Sequence, residues 1–413
     1  MKIAVIGGGA SGLIAAIAAA KNGAEVTIYE KMNKVGKKIL ATGNGRCNYT
    51  NMNLSKECYH SKDLNLTEEV MNFFDLEKTL IFFKDLGIMP YLDESGKVYP
   101  NSLQASSVLD VLRYELKRLK VDEITDFNVR ALRKNKDKFS IIGNDTVTAD
   151  KVILATGGKA SPQLGSDGKG YEIAKSFGHE IIEPFPALVQ LKLCGKYFKR
   201  LAGIKFDGIV KAYTGDRLIR EEEGEILFTD YGISGPPILQ ISRKVIEELN
   251  KENRPYLNID MFPVYSKLKL YDILEDRFRS LGYKTIEESM IGFINKKLIP
   301  VVLYEAGFNE LNKLCGKLNK KEIYKIIDIL KGWKFEVTGH NSWQQAQSTA
   351  GGVKLSEINP KTLESLKVKG LYLAGEILDV DGDCGGFNLQ WAWSSGFTAG
   401  YFCSLKRYGR ILK

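Results

Sequence analysis

The 413-residue sequence lacks the cysteine pairs, histidine clusters and long apolar runs that mark several protein classes. Its six cysteines form no C-x-x-C pair, so neither a zinc ribbon nor a local redox disulfide is indicated, and free thiols are typical of a reducing compartment. No apolar run reaches the roughly 18 residues that a membrane-spanning helix needs, and no signal-peptide pattern opens the sequence. We therefore expect a cytoplasmic protein that has no membrane span and no metal site.

Basic residues exceed acidic residues, but they do not cluster. The sequence has 59 lysines and arginines against 50 aspartates and glutamates, a formal net charge of +9. Such an excess is compatible with nucleic acid or an anionic ligand as partner. The charges are scattered, however, which is typical of a lysine-rich solvated surface. The sequence therefore favours a small-molecule substrate over a nucleic-acid partner, and it leaves the oligomeric state open.

The first thirty residues predict a strand, a helix and a second strand. Lys2 to Ile6 is a short β-branched apolar run, as expected of a buried parallel strand. The alanine-rich stretch from Ala10 to Lys21 predicts a helix packed on most sides, and Gly23 ends it. The stretch "AEVTIYE" then predicts a second strand that ends at Glu30. This order is the context that a dinucleotide-binding motif requires.

Glycines in G-x-G-x-x-G register occupy the turn between this strand and helix. Gly7 permits the tight turn, Gly9 lets the backbone approach a pyrophosphate, and Gly12 lets the helix sit close to the strand. The helix N-terminus offers unpaired N–H groups and a positive dipole end to the phosphates. Glu30 lies where a carboxylate can accept both ribose hydroxyls, and its charge would repel the 2′-phosphate of NADP. A glycine-rich loop that binds no ligand is the alternative, and this context disfavours it.

Three further segments favour FAD over NAD. The stretch "KVGKKILATGNGRCNYTN" is too rich in small and polar residues for a core segment and suits a loop along an extended ligand. "FNVRALRKNKDKFSIIGNDTVTADKVILATGG" predicts short antiparallel strands before a buried strand, Val152 to Thr156, a pattern typical of flavin-binding Rossmann domains. Near the C-terminus, a strand from Leu371 to Ala374 precedes an acidic loop and a helix from about Asn388. That helix N-terminus could stabilise negative charge on a reduced isoalloxazine, so the two glycine-rich ends of the sequence are predicted to hold opposite ends of one FAD.

Motifs along almost the whole sequence resemble those of the BaiN/YhiN-type FAD-dependent oxidoreductase family, within the glutathione-reductase-like flavoprotein superfamily. The matching stretches are "GKKILATGNGRCNYTN", "ILATGG", "GSDGKGYEIAKSFGH", "PFPALVQLK", "GEILFTDYGISGPPILQIS", "STAGGV" and "GLYLAGEILDVDGDCGGFNLQWAWSSG". The family pattern usually has Arg where this sequence has Lys37 or Lys38, and a second Gly where it has Asn44. Both differences keep the polarity of the loop. The resemblance implies FAD, a three-domain fold and flavin-dependent reduction of carbon–carbon double bonds in steroid-like enones.

The predicted fold is α/β, with a discontinuous Rossmann-like FAD-binding domain that carries two insertions. We assign residues 1–189 and 340–413 to the FAD-binding domain, 190–262 and 332–339 to a small β-rich cap, and 263–331 to a helical domain. Ser234 is predicted to cap a helix that starts with two prolines. The stretches "KLKLYDILEDRFRSL", "KTIEESMIGFINKKL" and "KKEIYKIIDILKG" are predicted to be helical. Substrate is expected between flavin and cap, because ligand sites favour domain interfaces.

The residues predicted to bind FAD come from the glycine turn, the second strand, the polar loop, the middle strand end and the C-terminal segment. They are Gly7, Gly9, Ala10, Ser11, Gly12, Glu30, Lys31, Gly36, Lys37, Lys38, Thr42, Gly43, Asn44, Gly45, Arg46, Cys47, Asn48, Val129, Ala155, Thr156, Gly157, Gly158, Gly375, Glu376, Asp379, Gly385, Gly386, Phe387, Asn388, Leu389 and Gln390. Arg46 could contact flavin or an anionic substrate, or pair with a carboxylate, and the flavin side is favoured.

Two cysteines in the glycine-rich segments carry two interpretations. Cys47 lies next to Arg46, whose positive charge would lower the pKa of a reactive thiol near flavin. A small buried cysteine is the favoured alternative. Cys384 lies in a loop with Asp381 and Asp383, which discourages a thiolate, so a Cys47–Cys384 redox disulfide is not favoured.

Histidine is scarce, and two of the three histidines are candidates for a role. His179 follows a predicted helix end, where a capping role is expected. His340 is the best candidate for a proton donor on the substrate side, and an exposed loop residue is the alternative. If His340 does not serve, the Thr349 hydroxyl is the next candidate.

Three functions remain open from the sequence. The leading one is an FAD-dependent oxidoreductase that reduces an activated, enone-like C=C bond of a small molecule. The others are a flavin-dependent tRNA-modifying protein and a non-catalytic FAD-binding protein. "GSDGKG" does not form a second Rossmann fingerprint, so the sequence lacks a dedicated NAD domain. NAD(P)H remains open as a transient reductant that enters from the substrate side.

Overall fold

The chain divides into two compact units in a computed structural model that describes residues 1–405. The first unit contains Met1–Ala187 and the described residues from Trp343 onward, and the second contains Leu188–Ser342. The finer division into three domains stays a prediction.

The described residues alternate between strands and helices through much of the chain. The α-helices are α1 (Ala10–Lys21), α2 (Lys37–Ala41), α3 (Leu64–Phe73), α4 (Leu76–Asp85), α5 (Ala105–Arg118), α6 (Lys169–Ser176), α7 (Phe198–Leu201), α8 (Pro236–Asn250), α9 (Lys267–Ser280), α10 (Ile286–Ser289), α11 (Leu298–Glu305), α12 (Lys320–Gly332) and α13 (Phe387–Ser404). The strands are β1 (Lys2–Ile6), β2 (Glu25–Tyr29), β3 (Thr50–Asn51), β4 (Tyr59–His60), β5 (Pro90–Leu92), β6 (Lys97–Pro100), β7 (Asp122–Ile124), β8 (Ala131–Asn135), β9 (Lys138–Ile142), β10 (Thr146–Ala149), β11 (Lys151–Leu154), β12 (Ile181–Ala187), β13 (Leu191–Leu193), β14 (Lys205–Thr214), β15 (Arg217–Thr229), β16 (Gly232–Ser234), β17 (Pro255–Asp260), β18 (Trp333–His340), β19 (Ser348–Val353), β20 (Leu371–Leu373) and β21 (Asp381–Gly382).

A five-stranded parallel sheet organises the first unit. Its order is β20-β11-β1-β2-β7, so strands from both ends of the sequence share one sheet. The central strands are apolar and buried, as the run Lys2 to Ile6 predicted. The β8–β10 strands form the antiparallel meander expected before β11. The Rossmann-type fold predicted from the sequence is thereby confirmed.

Helices α1 and α13 cross closely behind this sheet. A Cβ at Gly396 would lie 2.3 Å from the Ser11 carbonyl oxygen, and a Cβ at Gly400 would lie 2.2 Å from the Ala15 carbonyl oxygen. Both positions on α13 therefore require glycine, because a side chain would push the two helices apart. The crossing fixes the start of the chain against its last described helix.

The second unit combines a barrel with a group of helices. Six strands close in the order β13-β16-β15-β14-β17-β18, and Phe228, Trp333 and Phe335 pack together among them. The predicted β-rich character of residues 190–262 is confirmed. The prediction that Ser234 caps α8 is wrong, because Ser234 ends β16 and Gly235, at φ +110°, takes the cap position.

The helical stretches of the second unit match the prediction only in part. Helices α9 and α12 occupy the first and third predicted stretches. The middle stretch forms only the short α10, and α11 starts at its end, because Gly292 turns the chain at φ +82° between them. Among residues 1–405, no helix has the length and apolar character needed to cross a membrane.

Candidate cofactor-binding cleft

A cleft opens at the carboxyl edge of the parallel sheet of the first unit. It has about 1290 Å³ of empty space, counting its open mouth, and α1 and α13 both contribute first-turn residues to its wall. Ligands of doubly wound sheets bind at this edge. The sequence-predicted residues that line the cleft are Gly7, Gly9, Ala10, Ser11, Glu30, Lys31, Gly36, Lys37, Lys38, Thr42, Val129, Ala155, Thr156, Gly157, Glu376, Asn388 and Leu389.

The glycines of the first turn differ in what surrounds them. A Cβ at Gly7 would lie 2.4 Å from the Ala155 carbonyl oxygen, and a Cβ at Gly12 would lie 1.9 Å from the Gly7 carbonyl oxygen. Close backbone contacts therefore require glycine at both positions. Gly9 has an ordinary φ of −78°, and a Cβ there would meet no protein atom within 4 Å. The space beside Gly9 belongs to the cleft, at the N-terminus of α1, where a pyrophosphate fits.

Glu30 ends β2 and is held by the backbone. Its Oε2 accepts a hydrogen bond from the Gly8 N–H at 2.7 Å, and its Oε1 accepts one from the Met32 N–H at 2.8 Å. The residue is only 8% exposed. A carboxylate has about four acceptor positions, so each oxygen keeps one for a ribose hydroxyl. The residue therefore fits the predicted ribose-binding role in both place and orientation.

The "GSDGKG" segment lines the same cleft and was not among the predicted cofactor residues. Gly165 lies against Glu30, and Asp167 forms a 2.8 Å ion pair with Lys31. Burial alone would raise the pKa of Asp167, but the bonds from Lys31 and from the Lys169 N–H bring it below its ordinary value. The sequence signal for this segment was its density of glycines. We compared those glycines only with a second Rossmann motif, which they do not form, and so did not predict them to bind the cofactor.

A buried hydroxyl in the cleft wall lacks a protein partner. Thr156 Oγ1, at the end of β11, is buried and makes no hydrogen bond within residues 1–405. This oxygen is packed against α6, where a Cβ at Gly170 would lie 1.9 Å from it, so the hydroxyl faces protein rather than the open cleft. The lining residues that were not predicted from the sequence are Ile6, Gly8, Tyr29, Lys34, Ile39, Phe127, Asn128, Leu164, Gly165, Ser166, Asp167, Lys169, Gly170, Ile173, Gln347, Val380, Trp391 and Ala392.

A polar network joins the cleft wall at the α13 side. Lys38 Nζ lies 2.9 Å from Glu376 Oε2, and the Thr349 N–H donates to Glu376 Oε1 at 2.7 Å. The Ser348 hydroxyl lies 3.1 Å from Glu376 Oε1 and 3.0 Å from the side-chain oxygen of Asn388. The Glu376 carboxylate therefore joins α2 and β19, and Ser348 also links β19 to Asn388 in the first turn of α13.

The polar loop from Gly43 to Asn48 lies outside the residues that line the cleft. Gly43, Asn44, Gly45 and Cys47 all have positive φ, which gives the loop its tight left-handed course. The Arg46 guanidinium is exposed and lies 5.0 Å from the Tyr99 ring, so it stacks on an aromatic face. Cofactor contact by this loop stays a prediction.

Burial settles the two interpretations of Cys47. The thiol is fully buried, and this burial raises its pKa to about 12 although a hydrogen bond with Thr42 acts in the opposite direction. Arg46 does not activate it. Within residues 1–405, neither Cys47 nor Cys384 forms a disulfide.

The remaining predicted residues outside the cleft lining support the ends of the two helices. Gln390 is completely buried and bonds Thr50 at 2.6 Å and Thr79 at 2.7 Å. A Cβ at Gly386 would lie 2.6 Å from the Thr50 carbonyl oxygen. The others occupy close contacts or backbone anchors nearby: Gly12, Gly158, Gly375, Asp379, Gly385 and Phe387.

The candidate proton donors and His179 have close hydrogen-bond partners in the structure. His340 ends β18 in the second unit, and its Nδ1 lies 2.7 Å from the Asn341 carbonyl oxygen. Its proton-donor role stays a prediction. Thr349 Oγ1 is buried and accepts the Lys159 and Ala160 N–H groups at 2.9 and 3.0 Å. The His179 ring does not cap α6, because its nitrogens bond Glu357 at 2.9 Å and Ser365 at 2.8 Å. Its backbone N–H bonds the Ala174 carbonyl oxygen in the last turn of α6 at 3.1 Å.

Comparisons with known proteins agree with this architecture. A family model described as "HI0933-like protein Rossmann domain" matches residues 1–402. A 3-dehydro-bile acid delta(4,6)-reductase of Clostridium scindens is 42% identical over 402 residues, which cover 97% of this chain and 98% of the relative. A ribosomal RNA dihydrouridine synthase of Haemophilus influenzae is 30% identical over 402 residues, which cover 95% of this chain and 96% of the relative.

One solved structure shares the fold at low identity. The 3-ketosteroid delta1-dehydrogenase from Sterolibacterium denitrificans, in complex with 1,4-androstadiene-3,17-dione, aligns with a TM-score of 0.50 at 12% identity over 97% of this chain and 99% of that chain. The family match covers far more than half of the chain, and the identity with the bacterial reductase extends over nearly all of it. The chain therefore belongs to the HI0933-like family of Rossmann-domain enzymes, as its motifs predicted.

Proposed function

We propose that the cleft binds FAD and that the chain is an oxidoreductase that reduces an activated C=C bond of a small molecule. The observation that carries this proposal is the pair of helix N-termini at one cleft, with an unfilled space beside Gly9. A long ligand with an anionic centre and a reducible ring at one end matches that arrangement. FAD is such a ligand and supplies two-electron chemistry when bound.

The residues of the chain would divide the binding task along the cleft. Glu30 would accept the ribose hydroxyls, and the turn at Gly9 with the first N–H groups of α1 would bind the pyrophosphate. The start of α13 would face the ring end, where its dipole favours negative charge. These groups hold and orient the ligand, and the apolar lining limits water.

The reaction class follows from the named relatives together with this site. The name of the Clostridium scindens relative describes reduction of a bile acid with a 3-oxo group and conjugated double bonds. Dihydrouridine, the product in the name of the Haemophilus influenzae relative, is uridine reduced across a C=C bond beside a carbonyl. Both names describe addition of two electrons and two protons to a C=C bond conjugated with a carbonyl. We extend that chemistry to this chain, with an enone-like substrate and NAD(P)H as the reductant.

An RNA substrate is the second candidate function. The 30% identity with a ribosomal RNA dihydrouridine synthase extends over 95% of this chain, and the chain carries a net charge of +9. The higher identity with the bile acid reductase favours the small molecule. A uridine ring within RNA is also a carbonyl-conjugated alkene, so both substrates would use the same chemistry.

Equilibrium binding and substrate competition test the proposal. Titration of the apoprotein with FAD should saturate at one FAD per chain, and NADH or NADPH should then bleach the visible flavin absorbance under anaerobic conditions. Parallel assays would supply a 3-oxo-4-ene steroid or a uridine-containing rRNA fragment. Oxidation of NAD(P)H with the steroid alone supports the first candidate, and dihydrouridine in the RNA supports the second. A protein that takes up no FAD would overturn both.

A further inference from the structure

We infer that the Lys38–Glu376 ion pair balances charge at the ring end of the cleft and thereby sets the reduction potential of the bound cofactor. This inference rests on the proposed function, because it requires FAD in the cleft. It assigns both residues as positioning and tuning groups in the wall of the cleft.

The pair lies on the opposite side of the α1 turn from the ribose-binding residue. Glu376 follows β20, Glu30 follows β2, and β11 and β1 lie between those strands. Neighbouring strands are about 4.8 Å apart, so three spacings separate the two acidic residues by about 14 Å along the sheet edge. With the ribose at Glu30 and the pyrophosphate beside Gly9, the far end of the ligand extends toward Glu376.

The Lys38–Glu376 pair is anchored by hydrogen bonds and partly shielded from water. Glu376 is fixed by the Thr349 N–H and by Ser348, in addition to Lys38 at 2.9 Å. The side chains of Lys38 and Glu376 are 29% and 19% exposed. Solvent therefore screens these charges less than it screens an exposed pair. Lys38 and the Thr349 N–H both donate to this carboxylate, so its charge has a fixed position in the cleft wall.

The charge balance of this region determines the expected effect. Reduction adds negative charge to the flavin ring, so a nearby positive charge raises the reduction potential and a negative charge lowers it. Lys38 and Glu376 cancel each other at present, so the remaining positive influences are the N-terminal dipole of α13 and other lysines of the lining, Lys34 and Lys37 among them. The other carboxylates lining the cleft are Glu30 and Asp167, and Asp167 is paired with Lys31.

The two single substitutions should shift the reduction potential in opposite directions, and the double substitution should cancel the shift. Glu376→Gln leaves the charge of Lys38 unbalanced and should favour the reduced cofactor by about tenfold, a rise of about 30 mV for a two-electron couple. The amide oxygen of Gln can still accept the Thr349 N–H, so the backbone anchor is retained. Lys38→Gln should shift the potential by a similar amount in the opposite direction. The double variant should return close to the wild-type value.

Anaerobic redox titration of the FAD-loaded proteins against a reference dye measures these shifts. Glu180→Gln is the matched control, because Glu180 forms a 2.7 Å ion pair with Lys354 away from the residues that line the cleft. The control should leave the potential unchanged. Shifts of the same sign in both single variants, or no shift with FAD bound, would overturn the inference. Failure of the wild-type protein to bind FAD would instead overturn the proposed function.

Discussion

The helix starts at the two ends of the sequence use glycine for different purposes. In the turn before α1, close backbone contacts require Gly7 and Gly12, whereas Gly9 borders open space. Before α13, Gly386 has φ +102°, and a Cβ there would lie 2.6 Å from the Thr50 carbonyl oxygen. The first turn therefore leaves room for a ligand, and the second lets one chain segment approach another. Glycine density alone does not distinguish a binding turn from a packing turn.

The largest effect should come from Gly9→Val, which fills the space where the pyrophosphate binds. The fold should survive, because φ at Gly9 is ordinary and no protein atom lies within 4 Å of its Cβ position. We expect a folded, colourless protein that does not take up FAD. Far-UV circular dichroism and FAD titration measure the two properties.

Gly386→Val provides the contrast to Gly9→Val. Both positive φ and the close Thr50 carbonyl oppose a side chain there, so this variant should lose thermal stability even without cofactor. If apoprotein stability fell in the Gly9 variant and stayed unchanged in the Gly386 variant, the contrast between the two turns would be reversed.

A smaller effect is expected from Glu30→Ala at the ribose end. Loss of a charge-assisted pair of hydrogen bonds should weaken FAD binding by roughly 2–4 kcal/mol. Titration of the deflavinated variant measures the change, and Glu25→Ala is a control on the same strand with an exposed side chain. Affinity equal to that of the wild type would assign Glu30 to holding the Gly8 and Met32 N–H groups only.

Acid sensitivity should come from His179, outside both helix starts. Burial lowers the pKa of His179 below 6.5, although its bond to Glu357 acts in the opposite direction. The unfolded chain therefore binds a proton as pH falls below about 6.5, before the folded chain does, and stability falls with it. Urea midpoints at pH 7.5 and 5.5 should differ more for the wild type than for His179→Gln. Equal pH dependence in the two proteins would show that His179 does not contribute.

The smallest change is expected at Cys47, in the polar loop after α2. Its buried thiol has a pKa raised to about 12, so alkylation of the folded protein at pH 8 should leave it unmodified. Exposed Cys194 should react first and serves as the internal control. Peptide mass spectrometry after brief iodoacetamide treatment identifies the labelled cysteines. Early labelling of Cys47 would contradict its burial.

Local sequence patterns predicted the first unit well because its strands and helix follow short-range rules. The strand Lys2–Ile6 and the helix Ala10–Lys21 occur with the predicted bounds, since apolar runs and a glycine turn determine both. The Lys38–Glu376 pair joins residues 338 positions apart, and no local pattern indicates such contacts. The segment around Asp167 was missed for the same reason. Its role in the wall depends on Lys31, which the sheet brings next to it.

Two residues at the start of α13 show what a local sequence pattern leaves undetermined. Gln390 and Phe387 follow a glycine pair at a helix start and so were predicted to bind cofactor. In the structure, Gln390 bonds Thr50 and Thr79, and Phe387 accepts the Tyr59 hydroxyl at its carbonyl. A residue near a binding motif can therefore have a packing role, and cofactor contact by Gln390 and Phe387 stays a prediction.

Single-turnover reoxidation of the FAD-loaded protein is the most direct test that the chain reduces an enone-like small molecule. FAD-loaded protein would be photoreduced without oxygen and mixed with a 3-oxo-4-ene steroid in the absence of NAD(P)H. We predict that the visible flavin absorbance returns in proportion to the steroid added and that one saturated C–C bond forms per FAD. Flavin that stays reduced with a panel of such enones, yet is reoxidised by uridine-containing RNA, would contradict the small-molecule assignment.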